Sequence, residues 1–195
     1  MGTRFDSKEV QKYKNIFGGI AFPGKRPGFA VIIGQAWHKT LGSHDLVYLD
    51  EVESDDTREL IRLCGGLDYF YYPKAWIGDS KNQAAERFIR EFNKDHKGER
   101  RGFHIRRTPI LEMQTAFAYM FPAIKELLYK PRRRLFLKEK TKLVDYLRQP
   151  QEADLPEIVW GDYPAVEALA FAVLELERIN TGEKMTSVNN NYQRI

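Results

Sequence analysis

The sequence predicts a mixed α/β domain: a five-stranded sheet with three antiparallel strands, then parallel ones, and helices on both faces. Three observations predict it. Three strand-like runs follow one another at hairpin spacing early in the chain. A helix then separates them from Lys74-Ala75-Trp76-Ile77-Gly78-Asp79-Ser80, an apolar run ending in a glycine, an acid and a hydroxyl. A nearly all-apolar helix follows late in the chain.

Composition sets the outer bounds. At 195 residues and 43% apolar content the chain suffices for one buried core, expected over 15–180, with an N-terminal arm over 1–14 and a polar tail over 181–195. Lysines and arginines exceed acids 31 to 27, clustered at Arg100-Arg101, Arg106-Arg107 and Lys130 to Lys142. Such clusters suit a polyanion and equally suit plain solvated surface. Cys64 is the only cysteine, so an intramolecular disulfide and a cysteine-rich zinc site are excluded. No apolar run reaches membrane-spanning length, and Met1 to Tyr13 is too polar and mixed in charge for a signal peptide. The expectation is a cytoplasmic protein with no membrane partner.

Asn15 to Phe22 reads as the first strand, closed by the Pro- and Gly-rich turn Pro23 to Gly28. Phe29 to Trp37 is a second strand of residues suited to a pleated surface, and Asp45 to Val52 a third, so the three form a meander. Ser54 to Thr57 supplies residue types of a helix start, and Leu60, Ile61, Leu63, Cys64 and Leu67 continue at helical spacing. This helix returns the chain so that the Trp76 strand can lie parallel to the first through a right-handed crossover. Gln83 to Asn93 is an amphipathic helix, and Phe103 to Pro109 a fifth strand ended by its proline. Thr115 to Tyr129 reads as a helix, Arg132 to Leu137 as a small extended piece and Lys140 to Leu147 as a short helix. Pro164 then opens the last helix, whose Ala165 to Leu176 run must be largely buried.

That order of elements resembles the ribonuclease H-like fold. Within it, Val47-Tyr48-Leu49-Asp50-Glu51-Val52, the strand ending in Asp79, the Ile124 to Leu128 helix, Arg132 to Leu137, Leu143 to Leu147 and Val166 to Ala172 together resemble the nuclease domain of bacteriophage terminase large subunits, over 15–179.

The resemblance implies a DNA endonuclease that cuts phosphodiesters with two Mg²⁺ or Mn²⁺ ions about 4 Å apart, held by convergent carboxylates because these hard cations take oxygen ligands. The family pattern has one acid on the first strand, one at the tip of the fourth and one in the last helix. Asp79 matches the second and Glu167 the third; Asp162, just before that helix, is a further candidate for the same corner. At the first position relatives read Gly-Ile-Asp, whereas this chain reads Gly19-Ile20-Ala21, and alanine coordinates nothing. The metal site is therefore expected to be impaired, by natural loss or by an introduced replacement, unless Asp50 or Glu51 on the third strand compensates. Each acid has a structural alternative. Asp79 or Ser80 can cap the following helix, as Asp162 can the last one. Asp50 and Glu51 point to opposite faces. Glu167 either needs a partner in the core or sits on an exposed stripe. The four histidines show no ligand spacing.

Lys25, Arg26, Arg106, Arg107, Arg132, Arg133 and Arg134 are the candidate phosphate contacts, giving sequence-independent, salt-sensitive binding to double-stranded DNA. No Gly-Lys-Ser/Thr nucleotide loop is present, so a separate ATPase motor or a portal protein is an expected partner, in the bacterial host cytoplasm if the chain is phage-encoded. The alternatives are a non-catalytic nucleic-acid-binding module on the same fold, another ribonuclease H-like nuclease such as a resolvase, and a protein-interaction domain.

Overall fold

The computed structural model describes residues 12–38, 43–79, 83–98, 102–108, 124, 135–137, 140–148 and 162–180. Its strands are β1 (Ile16–Ala21), β2 (Gly28–His38), β3 (Ser43–Ser54), β4 (Ala75–Asp79), β5 (Ile105–Thr108) and β6 (Leu135–Phe136). Its described helices are α1 (Thr57–Tyr71), α2 (Gln83–Asp95), α3 (Lys142–Leu147) and α4 (Pro164–Asn180).

The sheet runs β5-β4-β1-β2-β3-β6. β1, β2 and β3 form the expected antiparallel meander, and β4 lies parallel to β1 from Phe17↔Ala75 to Ile20↔Gly78. The predicted count of five is corrected to six. The extended piece around Leu135 joins the sheet as β6, pairing parallel with Leu46 and Val47 of β3. Two residues are too few to leave a period-two pattern, so only an extended segment was legible there. The expected Thr115 to Tyr129 helix lies outside the described residues except for Ile124, which is helical and buried.

Two apolar layers sandwich the sheet. Ile16, Ile20, Ile32 and Trp76 face α1 and α2, meeting Leu60, Ile61 and Cys64. Phe17, Ala21, Val31 and Ile77 face α4 and α3, meeting Ala168, Leu169 and Leu143. Ala165 to Val173 of α4 are all buried, which explains why that helix is apolar all round. Asp56 caps α1, its carboxylate accepting from the Glu59 N–H at 2.7 Å.

Candidate functional site

α4 runs antiparallel to β1. Gln35, whose backbone N–H bonds Asn15 O beside the start of β1, donates through Nε2 to Leu176 O at 3.3 Å. Midway, a Cβ on Gly19 would stand 1.8 Å from Ala168 O, so helix and strand touch there through bare backbone. The first turn of α4 therefore reaches the carboxyl end of β1 at Ala21. The β1–β2 turn closes the same corner: Lys25 Nζ is 3.4 Å from Asp162 Oδ1, and the Arg26 guanidinium lies 4.7 Å over the Tyr163 ring.

β4 ends at this edge too. Its last pairs are Gly19↔Ile77 and Ile20↔Gly78, so the register, extended by one residue, sets Asp79 beside Ala21. Thr108 flanks Asp79 from β5. The sequence-predicted positions 21, 79, 162 and 167 are thus gathered at one end of the sheet, the end where open α/β sheets hold ligands.

The side chains around this edge differ sharply in their surroundings. Ala21 is 2% exposed and shares its apolar cluster with Ile77, Ala165 and Ala168. Glu167 is also 2% exposed, so it occupies no exposed stripe, and its backbone N–H closes the first turn of α4 on Tyr163 O at 3.0 Å. Asp162 is partly exposed and held by Lys25.

Glu51 lies elsewhere. The register Glu51↔Val31 and Val31↔Gly19 sets it two strands from β1, about 10 Å across the sheet. Its carboxylate accepts from the backbone N–H of Lys142 at 2.8 Å and of Leu143 at 3.2 Å, anchoring the start of α3. Burial pushes its pKa up, outweighing those hydrogen bonds. Asp50 faces the opposite layer, where it accepts from Tyr71 Oη at 3.0 Å. Glu53 joins Lys142 and Tyr146; burial raises its pKa but their hydrogen bonds prevail, so the net shift is downward. The same bond pushes the Tyr146 phenol up to about 12.

Of the candidate basic residues, Lys25 and Arg26 stand at the edge. Arg106 instead pairs at 2.7 Å with buried Glu175, beside an open cleft of about 620 Å³ that also includes Lys74, Ala75 and His104 and lies toward the amino end of β4. Arg107 belongs to β5, and Arg132, Arg133 and Arg134 lie outside the described residues. Tyr163 and Glu175 escaped the sequence reading: neither has a spacing that signals a role, and only the fold sets Tyr163 under Arg26.

The described side chains do not by themselves complete a two-metal centre. Position 21 offers a methyl group packed in the core, Glu51 is spent on α3, and among the described residues no three His, Cys, Asp or Glu side chains converge as ligands. Among the described residues no helix is long and apolar enough to cross a membrane.

The chain has the fold of solved phage large-terminase nucleases. It superposes on the large terminase nuclease from thermophilic phage G20c with a TM-score of 0.54 at 12% identity, covering 83% of this chain and 82% of that one. For the g2p large terminase nuclease domain of bacteriophage SPP1 with bound Mn, the values are 0.53 and 15%, over 90% and 94%. For the large terminase of thermophilic bacteriophage D6E they are 0.55 and 10%, over 89% of this chain and 44% of that longer one. No protein-family model and no curated protein sequence matches.

Proposed function

We propose that this chain is a nuclease domain of the large-terminase type, acting on double-stranded DNA with Mg²⁺ or Mn²⁺ and impaired by the alanine at position 21. One observation carries the reading: the carboxyl ends of β1 and β4 and the first turn of α4 share one edge, on a fold whose solved examples include an Mn-bound terminase nuclease. Asp79, Glu167 and Asp162 are the candidate ligands at that edge, Glu51 being tied to the start of α3, and a bound metal would supply the polarisation of a phosphodiester that carboxylates alone cannot. Lys25 and Arg26, at the same edge, are the residues assigned to the DNA backbone in this reading. A separate ATPase motor or portal protein would deliver the DNA.

The alternative is a non-cleaving nucleic-acid module, favoured by how completely Ala21 is built into the apolar core. Plasmid cleavage in Mn²⁺ separates the two. The expected result is feeble nicking by the native chain and clear linearisation by Ala21→Asp. A variant that folds and still leaves the plasmid intact overturns the nuclease reading.

A further inference from the structure

The turn between β1 and β2 brings two cations against the two residues that lead into α4. The Lys25–Asp162 pair is long, 3.4 Å, and its side chains are 83% and 28% exposed. Exposed pairs of this kind are weak, because both groups keep most of their hydration and salt screens them. A polyanion, whose successive phosphates sum to a stronger field than one carboxylate, therefore displaces Asp162 at little cost. Arg26 is held differently, its guanidinium 4.7 Å over the Tyr163 ring, and a guanidinium carries a planar fork that matches phosphate oxygens.

Ala21 changes the charge of this same edge. A first-strand carboxylate would repel a phosphate unless a metal stood between them; a methyl group does not. A phosphate approaching the turn cations would then meet one fewer anion at this edge.

We propose that Lys25 and Arg26 form a metal-independent phosphate clamp, in which Lys25 exchanges Asp162 for an oxygen of the nucleic-acid backbone while Arg26 engages the phosphate from its place over Tyr163. The proposal rests on the reading of this edge as the DNA-facing one, and it adds that DNA is held there without a cation.

Fluorescence anisotropy of a short labelled duplex tests it, titrated with the native chain in EDTA and in Mg²⁺ across a range of KCl. The native chain is expected to bind equally well in both. Lys25→Ala/Arg26→Ala should flatten the dependence of log affinity on log salt by about 1.8, the value for two lost phosphate contacts. Lys25→Glu should weaken binding further. Arg58→Ala/Arg62→Ala removes two arginines of α1, paired with Glu91 and Glu59, and should leave the slope unchanged. Binding that vanishes in EDTA, or a slope unaltered by the Lys25/Arg26 change, overturns the clamp. Either result leaves the cleavage test of Ala21→Asp standing, and a failure of that test leaves the clamp standing.

Discussion

Tyr48 and Glu51 share one face of β3 although they are three positions apart. A regular strand would send them to opposite faces. The pairing with β2 jumps from Ile33↔Tyr48 to Ile32↔Asp50, so Leu49 is an extra residue and the parity of the strand flips there. The bulge puts the Tyr48 hydroxyl against the Glu51 carboxylate and aims Glu51 at the start of α3. It also leaves Asp50 facing α1.

From this follows a pH prediction with opposite signs for two neighbouring acids. The Glu51 pKa is raised, so above the ordinary value of about 4.3 the folded state holds more protons than the unfolded one, and stability falls as pH rises through the raised pKa. The Glu53 pKa is lowered, so its stabilisation is complete above the ordinary value and is lost as pH falls through the lowered one. Urea unfolding across this acidic range should show Glu51→Gln losing the decline and Glu53→Gln losing the rise. Both variants following the native profile would refute the assignment.

Two adjacent glycines of α1 should respond oppositely to alanine. A Cβ on Gly65 would lie 2.1 Å from the tip of the Phe92 ring, whereas one on Gly66 meets nothing within 4 Å. Gly66→Ala should stabilise by about 0.5–1 kcal/mol, since glycine gives up more backbone freedom in a helix interior. Gly65→Ala should cost about 1–3 kcal/mol by wedging α1 from α2. Urea midpoints ranked the other way would contradict the packing described.

The meander, the parallel β4 and the buried last helix were legible in the sequence because each is long enough to impose its own period. Phe29 to Trp37 can only be a strand with one face on each layer, and Ala165 to Val173 can only be covered on all sides. The gathering of positions 21, 79 and 167 was legible only through resemblance; residue spacing says nothing about which strand ends meet. Three features were not legible, or legible only as an extended piece in the case of β6. The bulge at Leu49 has no compositional mark, since leucine suits a regular strand equally well. β6 is too short for any period. Arg106 read as a phosphate contact, but its ion pair with Glu175 depends on α4 crossing the sheet 69 residues later in the chain.

Gly19→Ala should loosen the edge itself. The added methyl would fall 1.8 Å from Ala168 O and 2.8 Å from Ala168 C, both backbone atoms of α4 that cannot rotate aside. The helix must shift from β1, at an expected cost of about 1–3 kcal/mol in urea unfolding. An unchanged midpoint would mean that α4 is not seated on Gly19.

Ala21→Asp carries a second prediction, separate from cleavage. Without metal the new carboxylate enters a site 2% exposed within the apolar cluster that includes Ile77, Ala165 and Ala168, so thermal unfolding in EDTA should show a loss of at least about 1–3 kcal/mol. If the edge can gather Asp79 and Glu167 around a cation, Mn²⁺ should restore what burial removes. An ion that binds only the folded state adds about 2.7 kcal/mol at a hundredfold excess over its dissociation constant. The native chain, lacking the first-strand ligand, should gain far less from the same Mn²⁺. Comparing the two melting shifts reads metal binding directly, with no substrate present. Equal shifts in both proteins would show that position 21 has no part in holding the ion, and the family pattern would then fail at its first acid.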